Sequence, residues 1–117
     1  MVKVEWQGDV TLIEMGREYD ALDEPTLRRA SDLLLSQAQM ADPPLLVLDL
    51  SQTAYIGSAA IEMIFRAWKR LRERGGRLVL CGLQPFCADV LKAARLDSLW
   101  DSFATREEAV AGVQQAS

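Results

Sequence analysis

The segment Leu45–Ala60, LLVLDLSQTAYIGSAA, constrains the fold more than any other stretch of the chain. Its first six residues are apolar except for Asp49, and they do not alternate with polar ones. A strand of that kind is covered on both faces, as in a sheet with helices packed against it. A short turn leads from it into a helix whose first residue is Ser58. That helix carries Ile61, Ile64, Phe65, Trp68 and Leu71 at the spacing of one helical stripe. Gly75-Gly76 ends it, with one glycine in the left-handed position past the last turn. Leu78–Leu83 then reads as a second apolar strand. A helix joining two buried strands implies parallel pairing with a right-handed crossover.

The flanking sequence extends this unit. Val2–Trp6 alternates, Gly8-Asp9 makes a turn and Val10–Met15 is a further strand, so the chain opens with a hairpin and the sheet is mixed. After the loop Gly16–Asp23, Asp23 is a suitable N-cap and Pro25 fits the first turn of a helix. Leu27, Ala30, Leu34 and Ala38 form its apolar stripe, and it ends near Ala41, before Pro43-Pro44. Gln84-Pro85 opens a third helix containing Phe86, Val90, Leu91 and Ala94. Leu96, Leu99, Trp100 and Phe103 cover the core, and Trp100 and Phe103 close the end of the sheet. Thr105-Arg106-Glu107-Glu108 is a capping box that starts a last helix reaching about Gln114. The expectation is one α/β domain over residues 1–117, with a mixed sheet of four to five strands and about four helices.

Composition narrows the function classes. A net charge of −4 argues against nucleic acid as partner, and the cluster Arg66, Lys69, Arg70, Arg72, Arg74 and Arg77 reads as a solvated helix face. The chain has no histidine, which removes the usual general base, metal ligand and nucleophile activator. No carboxylate pair has a spacing that demands acid–base catalysis, and Gly75-Gly76 follows a helix, the reverse of a phosphate-binding loop. Cys81 and Cys87 match neither a redox nor a zinc spacing; Cys81 reads as core, Cys87 as a thiol near a helix start. No apolar run approaches the ~18 residues of a membrane span, and MVKVEWQGD does not resemble a signal peptide. The expectations are therefore a cytoplasmic protein that is not an enzyme, with no cofactor, no metal and no membrane partner. Trp68 is expected on the buried stripe and Trp6 either in the core or at an interface.

Ser58 is the residue with chemistry to offer. Read structurally, it caps the helix, a role worth about 1 kcal/mol. Read functionally, it is a hydroxyl at the positive end of a helix, where a phosphate would be held by unpaired N–H groups. Glu62 is expected to complement the helix dipole, or with Asp20, Asp23 and Asp49 to form an acidic rim around the turn.

These residues in this order resemble the STAS domain, the fold of the bacterial anti-sigma factor antagonists. The likeness covers nearly the whole chain and is strongest over Leu46–Leu83: the strand ending in Asp49-Leu50, Tyr55-Ile56, Ser58, the long helix, Gly75-Gly76 and the strand LVLCGL. In members switched by phosphorylation the turn reads Asp-Ser-Ser/Thr-Gly-Leu/Ile, and the first serine takes the phosphate from a partner kinase. Matched residue by residue, Ser58 occupies that serine and Gly57 stands in place of the aspartate. Ala59 replaces the second hydroxyl residue, Ala60 replaces the glycine, and Ile61 keeps the aliphatic position. The acidic residue typical of the loop after the second strand is filled by Asp20 or Asp23.

The resemblance implies a protein-interaction module. It would bind an anti-sigma factor that is also a serine-protein kinase, or a larger signalling assembly, through Asp20, Asp23, Gly57, Ser58, Ala59, Ala60 and Glu62, with Ser58 the phosphorylated residue. The loss of the aspartate and second hydroxyl also fits a scaffold that is never phosphorylated. A small-ligand sensor for a nucleotide or lipid is the alternative from another class. A receiver-type catalytic domain is set aside, because Asp49 lacks the adjacent acidic pair and the strand-end lysine.

Overall fold

A computed structural model of the chain describes residues 3–16 and 24–115. Strands β1 (Lys3–Gln7) and β2 (Val10–Glu14) form the opening hairpin, turned at Gly8, whose φ of +62° suits a residue without a side chain. Helix α1 (Glu24–Met40) leads to β3 (Leu45–Asp49), α2 (Ser58–Glu73), β4 (Arg77–Cys81), α3 (Pro85–Ala93), the two-residue β5 (Ser102–Phe103) and α4 (Arg106–Gln114). The strands lie in sequential order; β1 and β2 are antiparallel and the pairs from β2 to β5 are parallel. The sheet is thus mixed and five-stranded, as the hairpin and the apolar runs require. The cap proposed at Asp23 and the acidic residues Asp20 and Asp23 lie outside the described residues.

Alternation along the strands divides two cores. Leu46 and Leu48 of β3, Leu50 just beyond it, and Leu78 and Leu80 of β4 face α1, α2 and α3 in one buried cluster. Val47, Val79 and Cys81 face the other way, against Ala109, Val110 and Val113 of α4. That explains why β3 and β4 read as unbroken apolar runs: each side of the sheet carries helices. Trp100 is buried in the first cluster, while Phe103 packs on the α4 side. Gly112 makes room for that ring, since a Cβ there would lie 2.3 Å from Phe103.

Two readings from the sequence are corrected. The buried stripe of α2 is Ala60, Met63, Ile64, Ala67 and Leu71; Phe65 is exposed, and Ile61 and Trp68 are only partly covered. Ala60 and Ala67, together with Ala30 and Ala38 of α1, lie in the same cluster, so small residues bring the two helices close and larger ones flank them. Apolar periodicity alone did not separate these two adjoining stripes. Trp6 is not a core residue, being 66 % exposed on β1, the edge strand.

The end of α2 follows expectation. Gly75 has φ +76°, and Gly76 donates its N–H to the Leu71 carbonyl at 2.7 Å. The following residue, Gly76, passes so near Pro44 that a Cβ would sit 2.1 Å from its carbonyl oxygen.

Candidate functional site

The loop from β3 to α2 is held from several sides before it delivers Ser58. The Ser51 N–H donates to Asp49 Oδ1 at 2.9 Å, and Gln84 Nε2 donates to the Ser51 carbonyl at 2.9 Å. Thr53 is fully buried; its hydroxyl lies 3.1 Å from the Gly16 carbonyl and 3.3 Å from that of Met15. The Cys87 thiol donates to the Thr53 carbonyl at 3.3 Å. Ile56 is buried beneath the loop, and the exposed Tyr55 ring stands 5.2 Å from that of Phe86. These contacts fix the point at which α2 begins.

Gly57, not Ser58, is the N-cap. Its backbone is extended, with φ −96° and ψ −177°, and its carbonyl accepts the Ile61 N–H at 3.0 Å. Ser58 is therefore the first helical residue, and no side chain caps the helix. This overturns the capping role read from the sequence: a residue inside the first turn cannot fold its hydroxyl back onto the N–H groups that a cap residue reaches. The Ser58 and Ala59 side chains are exposed, and Gly57 is half-buried.

Ala60 is 2 % exposed and belongs to the core under α2, so its side chain is not available to a partner. Glu62 is exposed but lies beyond the first turn, and it pairs with Arg66 at 2.6 Å instead of facing the helix N-terminus. Gly57, Ser58, Ala59 and Glu62 thus share an accessible end of α2. An open trough of about 440 Å³ lies beside them between α1 and α2, lined by residues that include Ser31, Asp32, Ala59, Glu62 and Arg66.

Asp49 does not join a rim around Ser58. It is 5 % exposed and lies on the opposite face, where Arg106, the first residue of α4, binds it. Arg106 Nε donates to Asp49 Oδ2 at 2.8 Å, Nη1 to Glu5 Oε2 at 3.0 Å and Nη2 to Glu14 Oε2 at 2.5 Å. One guanidinium therefore ties α4 to β1, β2 and β3. Burial pushes the Asp49 carboxyl up, but the Ser51 hydrogen bonds and Arg106 outweigh it and hold the group below its ordinary value. Arg106 is raised in turn, chiefly by its hydrogen bond to Asp49. Beside it, burial and then the Asp49 charge push the Cys81 thiol up to about 12, so that sulfur is inert. Cys87 is fully buried and belongs to the core, which removes the accessibility a reactive thiol needs.

The sequence reading missed this cluster, although a signal for it exists. Strand alternation places Glu5, Glu14 and Asp49 on the α4 face, and the capping box puts Arg106 at the helix start above them. Among the described residues no group of three acidic, cysteine or histidine side chains could hold a metal ion, and no helix is long and apolar enough to cross a membrane.

With fold and site in view, comparison with known proteins defines the class. The family model described as STAS domain matches residues 1–109, and the chain belongs to that family. A putative anti-sigma factor antagonist of Bordetella bronchiseptica, BtrV, is 36 % identical over 70 residues, a stretch covering 60 % of this chain and 60 % of that protein. The match thus spans about three-fifths of the relative's length. An anti-sigma-factor antagonist (STAS) domain protein from Planctomyces limnophilus superposes with a TM-score of 0.88 at 29 % identity, covering 97 % of this chain and 98 % of the other. A Bacillus protein, SpoIIAA in its phosphorylated form, has a TM-score of 0.70 at 18 % identity over 97 % of this chain and 99 % of its own, a likeness of fold alone.

Proposed function

We propose that this chain is a non-enzymatic interaction module of the anti-sigma factor antagonist type. It docks a regulatory partner through Gly57, Ser58, Ala59 and Glu62 at the start of α2, with Asp20 and Asp23, which lie in the sequence between β2 and α1, contributing. The partner is an anti-sigma factor that is also a serine-protein kinase, or a signalling assembly containing one. The observation that carries this reading is the exposed Ser58 at the first position of α2, directly after a loop pinned by buried contacts. In the switched form, the Ser58 oxygen attacks the γ-phosphorus of ATP held by the partner, ADP leaves, and the serine proton passes to a base on the partner. The phosphate brings roughly −1.5 to −2 charges to the docking face, repelling an acidic contact or adding a desolvation cost at an apolar one, with little change of fold.

Gly57 bears on the switch through its chemistry and not through its backbone. Its φ and ψ are extended and open to any residue, and a Cβ there would only touch the Tyr55 ring at an ordinary 3.5 Å. What it removes is a carboxylate next to the phosphate. The test is to incubate the protein with serine kinases encoded near its gene and ATP, then map phosphate by mass spectrometry. Phosphate on Ser58, absent in Ser58→Ala, is the expected result. Phosphate elsewhere, or none from any kinase that binds the protein, removes the switch and leaves an unphosphorylated scaffold.

A further inference from the structure

Beyond the Ser58 end, α2 turns a second surface outward. Phe65, Trp68, Lys69 and Arg72 recur at the spacing of one helical face. Phe65 is 38 % exposed, and Trp68 is only partly covered, at the border of the core. Their rings lie 5.3 Å apart, and the Arg72 guanidinium sits 5.3 Å from the Trp68 ring centre. With Lys69 and Glu73 they line an open trough of about 450 Å³. The core under α2 is already filled by smaller side chains, so it does not account for these aromatics.

Charge tells what fits there. From Ser58 to Arg74 the chain holds five basic and two acidic side chains, a local +3, whereas the remainder carries −7 within a net charge of −4. Three of the five cations are engaged: Arg66 by Glu62, Arg70 by Gln39 and Arg74 by the Ala38 carbonyl. Arg72 lies over Trp68, and Lys69 has no acidic partner among the described residues. Both face the trough. A flat anionic surface, such as a membrane or a nucleic acid, would be repelled by the strongly acidic remainder. A compact segment reaching only the trough meets the local positive charge and an aromatic floor, the arrangement in which apolar anchors bind.

We propose that this trough docks an acidic amphipathic protein segment: carboxylates pair with Lys69 and Arg72 while an apolar side chain seats on Phe65 and Trp68. The site lies about two to four helical turns from Ser58, roughly 10–21 Å along α2, and is independent of it. The test titrates the full chain, isotopically labelled, with a synthetic helix bearing leucine on one face and glutamate on the other. The same helix with lysine for glutamate, and phosphatidylserine vesicles, serve as controls.

Expected are saturable shifts centred on Phe65, Trp68, Lys69 and Arg72 with the glutamate helix only. Joint Lys69→Glu and Arg72→Glu substitution weakens that affinity about tenfold or more. Phe65→Ser, at an exposed position that folding tolerates, weakens it as well, and circular dichroism confirms that each variant is folded. Equal binding of the lysine helix, shifts located elsewhere, unchanged affinity in folded variants, or no binding of the glutamate helix each overturns the proposal. Vesicle binding lost in Lys69→Glu/Arg72→Glu, without peptide binding, overturns it in favour of a membrane surface.

Discussion

Helices α2 and α4 both begin beyond the carboxyl ends of parallel strands, yet their first turns are built in opposite ways. At α4, Thr105 Oγ1 accepts the Glu108 N–H at 3.1 Å, and the Glu108 carboxylate accepts the Thr105 N–H at 3.2 Å. The next residue, Arg106, gathers three carboxylates from three strands. At α2 the cap is a glycine, no side chain closes the first turn, and the residue that follows is an exposed serine. One start is satisfied from within the chain and locks helix to sheet. The other leaves its donors to water or to a partner. Stability is therefore concentrated at the α4 end, whereas the α2 end, where we propose recognition, can take a substitution without unfolding the domain.

Removing the lock gives the largest effect. Arg106→Met leaves the nearly buried Asp49 carboxylate beside Glu14 with no counter-charge, and a cost of about 2–4 kcal/mol follows from the loss of one partner in a buried ion pair. A lower urea midpoint with an unchanged slope checks it. Adding Asp49→Asn to Arg106→Met should restore part of the loss, because the stranded charge is then gone. If Arg106→Met proves as stable as the parent, the contrast between the two helix starts fails.

Acid tests the same lock more gently. Asp49 is held below its unfolded value of 3.8, so its contribution is complete above that value and disappears as pH falls through the lower folded one. Arg106, raised further from an already high value, stays charged throughout. The melting temperature of the parent should therefore fall more steeply below about pH 4 than that of Asp49→Asn. Parallel curves for the two proteins would show that the Asp49 carboxylate gains nothing from folding.

Much of this architecture was legible in the chain because its signals are local or periodic. The unbroken apolar runs of β3 and β4, the glycine stop after Arg74 and the Thr105–Glu108 box each specify a short piece of backbone. What escaped depends on how distant pieces meet. The Arg106 cluster joins residues 5, 14, 49 and 106, which no window of sequence brings together. The true core face of α2 was displaced toward Ala60 and Ala67 because close packing on α1 favours alanine over the larger Phe65 and Trp68. The role of Ser58 turned on a single residue of helix phase: a boundary at Gly57 or at Ser58 reads alike in sequence, but only one of them makes the hydroxyl a cap.

That one-residue difference yields the finest comparison. Thr105→Ala removes an observed bond from a side-chain oxygen to a helix N–H and should cost about 1 kcal/mol, as loss of a cap does. Ser58→Ala removes an exposed hydroxyl that caps nothing and should stay within about 0.5 kcal/mol, as surface changes away from such features do. Chemical denaturation of the two variants side by side measures the difference. Equal losses would mean that Ser58 closes its helix after all. Its oxygen would then be committed to the fold, and a phosphate there would have to break a structural bond before it could act as a signal.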